Sequence, residues 1–160
     1  TGVTSPAALA GSLHWIAGPT ETAAVTLPVS GTYAYINTGG TAPTDSSGNA
    51  GTLNSAALSA NFTAQTVNVG VNVTVAGATM DATASNVPII QRAAFSADSR
   101  MSNAQNLAVT CSGTCGATHQ GRLVGGFNGA GATGAIMTYG LEKIGGASPG
   151  VISGVAAFKR

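Results

Sequence analysis

The chain has 160 residues, of which only 7% are charged, and its formal net charge is +1. Globular proteins carry about 25% charged residues, so this composition excludes a charge-rich disordered chain and a coiled coil with charged flanking positions. Six Lys and Arg stand against five Asp and Glu, which excludes a phosphate-driven nucleic-acid binder. The length predicts one domain spanning residues 1–160.

The first part of the chain contains short segments that favour β-strands, separated by turn residues. Three strands are predicted before the long Gly39–Gly51 loop, which is rich in Gly, Thr, Ser and Asn and is expected to be exposed. These strands are Ser12–Ala17, Ala23–Leu27 and Thr32–Asn37.

The clearest predicted strand is Val67–Val75, in which five valines recur at every second position. No helix produces this period, and valine favours strands. The valines form one apolar face, while Asn68, Gly70, Asn72 and Thr74 form a small, polar one. Such two-sided alternation is typical of a strand in an antiparallel sheet.

The remaining segments continue the pattern and define the fold class. Ile89–Asn106 is the best candidate for a helix, although its serines weaken helix propensity. Eight to ten short strands with turns between them predict an all-β protein, an antiparallel up-and-down β-barrel of about eight strands. The other predicted strands are Leu53–Phe62, Ala78–Ala84, Asn106–Thr110, His119–Val124, Gly134–Leu141 and Val151–Phe158.

Two cysteines, Cys111 and Cys115, are the only candidates for a covalent cross-link. On a straight strand they would be about 13 Å apart, whereas a disulfide needs Cα atoms about 6 Å apart, so a bend at Gly113 and Gly116 is required. We expect a disulfide that closes this turn. Free thiols remain an alternative, and so does a metal site with His119. The metal site is disfavoured because its spacing would align on a helix and glycine and threonine oppose a helix here.

No catalytic, cofactor-binding or metal-ligating residue is expected elsewhere. His14 is more consistent with an ordinary hydrogen-bonded residue than with a ligand, and the five acidic residues are scattered along the chain. Gly129–Gly134 matches G-x-G-x-x-G, but a β-pattern and not a helix follows it, so dinucleotide binding is disfavoured. We therefore expect a non-enzymatic protein without a cofactor.

The last forty residues carry the most specific pattern. They contain Gln120–Phe127, Gly129–Tyr139 and Val151–Arg160. This region is similar to the closing hairpins of the lipocalin-like eight-stranded barrels in transferrin-binding protein B and related bacterial surface lipoproteins. The wider order resembles the C-terminal barrel of proteobacterial FecR-domain proteins, through the segments His14–Pro19, Gly31–Tyr35, Gly51–Phe62, Val67–Val75 and Cys111–Cys115.

This resemblance implies an eight-stranded barrel at the surface of, or secreted by, a Gram-negative bacterium, and it transfers no ligand residues. The chain begins at Thr1 and lacks a signal-peptide pattern, so we expect a processed, exported protein without a membrane helix. The expected function is an extracellular or cell-surface module that binds a protein or a ligand whose nature is unknown. The alternative is a self-assembling subunit of an extracellular fibre or sheath; an outer-membrane barrel is disfavoured by the few aromatic residues.

Overall fold

The computed structural model describes residues 14–16, 25–90, 93–100, 107–145 and 150–160. These residues form ten antiparallel strands and contain no α-helix. The predicted all-β, up-and-down, barrel-like class is therefore confirmed, in the form of one sheet curled into a half-barrel.

The strands follow one another along the chain with short connections. They are β1 (Thr32–Gly40), β2 (Thr44–Asp45), β3 (Thr52–Asn61), β4 (Thr66–Val75), β5 (Ala78–Pro88), β6 (Ala94–Asp98), β7 (Ala108–Gly113), β8 (Thr118–Asn128), β9 (Gly134–Ile144) and β10 (Gly150–Lys159).

The order across the sheet is β6-β8-β9-β10-β1-β3-β4-β5-β7, with β2 pairing only with β10. Four of the eight neighbouring pairs are consecutive hairpins, as in an up-and-down meander: β3–β4, β4–β5, β8–β9 and β9–β10. The other pairs involve β1, in the middle of the path, and β6 and β7, at its two ends. The β6 strand lies beside β5 and β7 beside β8, so the two ends of the curled sheet approach each other at a seam.

The β1 strand joins the two halves of the sheet, because it pairs with β3 along its first half and with β10 along its second half. The first half of β1 pairs with β3, from Thr32 opposite Asn61 to Tyr35 opposite Leu58. Its second half pairs with β10, from Ile36 opposite Lys159 to Gly40 opposite Ala156. Below this point β2 takes over the same edge of β10. The β1–β10 ladder therefore joins residues more than 100 positions apart in sequence.

The valine strand has the predicted register. Val67, Val69, Val71, Val73 and Val75 are all buried, each with at most 4% of its surface exposed. The intervening Asn68 is exposed, and Asn72 and Thr74 are half-buried. The side-chain period of a strand is two, so this alternation fixes which face of β4 lines the interior.

Aromatic side chains fill one end of the interior. All four phenylalanines are buried, and the Phe127 ring lies 5.3 Å from Phe62, 5.6 Å from Tyr35 and 5.7 Å from Phe95, between ring centroids. Gly125 makes room for Phe95, because a Cβ at this position would clash with the Phe95 ring. These contacts place the bulkiest part of the core at the end where β8 meets β9.

Two predicted strands are wrong in the parts that the structure describes. Residues 14–16 of Ser12–Ala17 and 25–27 of Ala23–Leu27 pair with no sheet edge, and the other residues of both segments lie outside the described ones. Within Ile89–Asn106 the described residues form no helix, since Phe95 and Ala97 alternate inward along β6 and pair with β8. The Gly39–Gly51 loop is not wholly exposed either: Thr44 is 7% exposed because β2 lies against β10.

Candidate functional site

The β2–β3, β4–β5 and β7–β8 connections meet at the end of the half-barrel opposite the aromatic cluster, and we call this the disulfide end. The β4–β5 turn and the β7–β8 turn are bonded to each other here: the Thr114 backbone N–H donates to the Gly77 carbonyl at 2.9 Å. Gly113 has a φ of +84°, and a Cβ at this position would clash with the Gly77 carbonyl. Glycine is therefore required where the two turns touch.

The two cysteines lie in the β7–β8 connection. Cys111 is in β7, opposite Met80 of β5, and Cys115 follows in the turn. Their Cα atoms are 6.0 Å apart and their sulfurs are bonded, the disulfide that the sequence predicts. The bridge closes a turn between two strands and leaves the ladders on either side intact.

His119 and Lys143 are cross-strand neighbours at the same end. They form one register pair of the β8–β9 ladder. Lys143 is only 6% exposed, and it continues the buried row of Met137, Tyr139 and Leu141 along β9. The sequence contained this signal, because the alternation that buries Leu141 also places Lys143 on the interior face. The predicted strand ended at Leu141, two residues too early to show it.

A polar cavity of about 130 Å³ opens at the disulfide end. A single water needs only about 15 Å³ of such space, so the cavity has room for a small polar group. The polar side chains around it are hydroxyls, an amide, one carboxylate and one ammonium. They belong to Asp45, Ser46, Ser47, Asn49, Thr114 and Lys143.

Asp45 organises the loop that forms one wall of this cavity. Its carboxylate accepts hydrogen bonds from the backbone N–H groups of Ser47 and Asn49, both at 2.9 Å, and from the Asn49 side chain at 2.9 Å. Partial desolvation opposes ionisation, but these hydrogen bonds and the nearby charge of Lys143 outweigh it and lower the pKa of Asp45. The carboxylate is therefore used to hold the loop.

Lys143, in contrast, makes no direct ion pair and no hydrogen bond with the residues that the structure describes. None of their carboxylates lies within ion-pair distance of its ammonium, and none of their acceptors is hydrogen-bonded to it. Lys143 lines the cavity, and its charge acts on Asp45 across it. The cavity therefore contains one ammonium without a direct hydrogen-bond or ion-pair partner, beside several hydroxyl and amide groups.

The other sequence candidates lie elsewhere and have structural roles. The Gly129–Gly134 segment forms the tight turn between β8 and β9, where Gly129 and Gly131 have positive φ, so its glycines serve a hairpin. His14 lies between two threonine hydroxyls, Thr41 at 2.7 Å and Thr44 at 2.6 Å. These hydrogen bonds join the N-terminal segment to the loop after β1, so His14 is the ordinary hydrogen-bonded residue that the sequence predicts.

Two of the scattered acidic residues are brought together on the outer face. Arg100 donates to both carboxylate oxygens of Asp98, at 2.9 and 2.8 Å, and reaches Glu142 at 3.2 Å. Arg122 also lies 3.6 Å from Asp98. Hydrogen bonding by Arg100 is the main reason that the pKa of Asp98 is lowered. The network depends on the register of β6, β8 and β9, so sequence spacing alone does not reveal it.

Comparison with protein families, with characterised proteins and with solved structures finds no match to this chain. Among the described residues, no helix has the length and apolarity needed to cross a lipid bilayer.

Proposed function

We propose that this chain is an exported, non-enzymatic binding module that uses its disulfide end to bind a protein or small ligand through an anionic group. The observation that supports this is Lys143, which lines a polar cavity and whose ammonium makes no ion pair or hydrogen bond with the described residues. Function is argued from this site, since a barrel fold by itself hosts many activities.

The chemistry of the cavity favours a small anion such as a carboxylate. An anion in the cavity would compensate the Lys143 charge in a partly desolvated place, where charge-assisted hydrogen bonds are strongest. Ser46, Ser47 and Thr114 offer hydroxyl donors around the same space. Asp45 would not repel the anion fully, because its charge is shared among three donors.

The disulfide supports the exported location in this proposal. Disulfides persist in oxidising compartments and are rare in the reducing cytosol. A cell-surface or extracellular site in a Gram-negative bacterium is the more specific proposal, and it follows only from the resemblance of the C-terminal strands to surface-lipoprotein barrels.

The test is an NMR titration of the isotope-labelled protein with acetate and with inorganic phosphate. We expect saturable amide shifts at Ser47, Thr114 and the end of β9. Lys143→Met should abolish them, whereas Lys159→Met, at an exposed lysine, should leave them unchanged. The proposal is wrong if neither anion shifts these amides, or if the shifts persist in Lys143→Met.

A second candidate function is a structural subunit that polymerises through its sheet edges. Within the described residues, β6 pairs only with β8 and β7 only with β5, so each has one edge without a ladder. Such edges can accept a strand from another molecule. Size-exclusion chromatography with light scattering, followed by electron microscopy, distinguishes the two proposed functions. A monomer supports the binding module. A polymer that is lost in Ala108→Lys, at the β7 edge, supports the structural subunit.

A further inference from the structure

Beyond this function, three metal-binding side chains converge beside the cavity. The sulfurs of Cys111 and Cys115 and a ring nitrogen of His119 lie within 4.8 Å of one another. This spacing aligns side chains on a helix, but the β7–β8 turn brings the three residues together without one.

The backbone holds these residues in place independently of the disulfide. Cys111 is fixed in the β5–β7 ladder and His119 in the β8–β9 ladder. The turn between them is bonded to the β4–β5 turn through Thr114, and the Cys115 N–H donates to the Gly113 carbonyl at 2.9 Å. Breaking the disulfide would therefore leave all three donors near their present positions.

His119 supplies a second, independent observation. Its Nε2 atom is buried, and it is hydrogen-bonded to no atom of the described residues. Nearly all buried polar atoms in proteins have a partner, so such an atom calls for an explanation. His119 therefore combines an unpartnered, buried ring nitrogen with a ring nitrogen within 4.8 Å of both sulfurs, and imidazole is a common metal ligand.

We propose that two-electron reduction of the Cys111–Cys115 disulfide converts this turn into a zinc site with His119 as the third ligand. A dithiol reductant supplies two electrons and two protons to the disulfide and becomes a disulfide itself. Zn²⁺ then binds the two sulfurs as thiolates and releases their two protons. The disulfide and the metal site are thus mutually exclusive states of one turn.

The residue spacing fits zinc. Three residues separate Cys111 from Cys115, within the C-x2–4-C range of zinc sites, and His119 follows Cys115 after three more residues. Around tetrahedral zinc two sulfurs lie about 3.8 Å apart, as follows from Zn–S bonds of about 2.3 Å. The sulfurs must therefore separate after reduction, within a turn whose flanks are glycines. Three protein ligands leave the fourth position open to water or a ligand.

The experiment uses the full chain, reduced under anaerobic conditions, freed of reductant and titrated with Co²⁺ and then Zn²⁺. We expect one Co²⁺ per chain, with thiolate-to-cobalt charge-transfer absorption and tetrahedral visible bands that Zn²⁺ removes. The oxidised protein should show none of these. His119→Gln should weaken binding by at least about tenfold, the loss seen even when groups that only support ligands are removed.

Two further measurements make the result decisive. His14→Gln, at the only other histidine, is the matched control and should bind Co²⁺ like the parent. Zn²⁺ should protect the reduced cysteines from alkylation in the parent but not in His119→Gln, and circular dichroism establishes that each reduced protein remains folded. The proposal is overturned if the folded, reduced chain binds no Co²⁺ through sulfur, or if His119→Gln binds it equally well. Lys143→Met tests the anion site separately, so the two proposals can fail independently.

Discussion

The two buried tyrosines show how much depends on whether a single polar atom finds a partner. The Tyr35 hydroxyl donates to the Ala132 carbonyl at 2.6 Å and so joins β1 to the β8–β9 turn. The Tyr139 hydroxyl is buried and has no hydrogen-bond partner among the described residues. Tyr139 fits only because the facing residue is Gly154, where a Cβ would clash with the hydroxyl.

Removing each hydroxyl should therefore have opposite effects. Tyr35→Phe should lower the free energy of unfolding by about 1–2 kcal/mol, because it leaves a buried carbonyl unpaired. Tyr139→Phe should be neutral or stabilising by up to about 1 kcal/mol, since no hydrogen bond is lost. Chemical denaturation of both variants measures the difference. Equal losses would show that the Tyr139 hydroxyl is hydrogen-bonded in the folded protein.

The valine face of β4 gives a second prediction at this scale. Val71 is 2% exposed, so Val71→Asp should cost about 3 kcal/mol or more by burying an unpaired carboxylate. Asn68→Asp on the opposite face should change stability by less than about 0.5 kcal/mol, because the oxygen that accepts from Asn86 is retained. Asn72→Asp is a poor control, as Asn72 donates to Asp81. Similar losses at residues 71 and 68 would refute the assigned register.

At the scale of elements, the β7–β8 turn is held twice, by the disulfide and by its hydrogen bond to Gly77. Reduction should therefore lower the free energy of unfolding by only about 2 kcal/mol, the loop-entropy value for a short loop, and leave the sheet intact. Far-ultraviolet circular dichroism and denaturation of the reduced, metal-free protein test this. Loss of the β-sheet signal on reduction would mean that the disulfide, and not the ladders, maintains this end.

The ion network across β6, β8 and β9 should make part of the stability depend on acid. The pKa of Asp98 is lowered in the folded state, mainly by Arg100. Its stabilising contribution is therefore present above the unfolded pKa, near 4, and is lost as the pH falls through the lower folded value. Asp98→Asn should cost up to about 1 kcal/mol at pH 7, and progressively less as the pH falls below about 4. Asp81→Asn is the control, since it keeps an oxygen that accepts a hydrogen bond from Asn72. If Asp98→Asn lowers the free energy of unfolding by the same amount at every pH, the ion-pair explanation is wrong.

Strands could be predicted from the sequence where apolar and polar residues alternate strictly, and could not be predicted where this alternation is short or broken. Five valines are enough to derive the register of β4, whereas β6 has only Phe95 and Ala97 as inward residues and lies within the helix candidate Ile89–Asn106. The disulfide could be predicted from its glycine-broken spacing. The proximity of His119 to Lys143 and to the two sulfurs could not be predicted from the sequence. It depends on the alignment of β7, β8 and β9, and that alignment is set by turns and ladders between residues far apart in sequence.

The whole molecule should lose stability in alkali because of its buried tyrosines. Burial raises the pKa of Tyr35 to about 12, against the opposing charge of Arg160, and raises that of Tyr139 to about 12 as well. Their neutral forms are favoured in the folded state, so the contribution is fully present below pH 10, the unfolded value, and is lost as the pH rises from 10 to 12. Thermal midpoints measured from pH 8 to 12 should fall steeply above pH 10, and less steeply in the Tyr35→Phe, Tyr139→Phe double variant. Equal slopes would exclude these tyrosines as the cause.

The ladder between β1 and β10 has a consequence for how fast the chain folds. Hairpins such as β8–β9 close over short loops, but β1 and β10 must meet across more than 100 residues, and forming such non-local contacts slows folding. A ribosome-bound chain that lacks β10 would leave the second half of β1 as an unpaired edge. Gly40→Ala should weaken this ladder, because a Cβ at this position would clash with the Val155 carbonyl of β10. If the ladder forms after the rate-limiting step of folding, the variant should raise the unfolding rate more than it lowers the folding rate. If formation of the ladder is the rate-limiting step, the variant should slow folding.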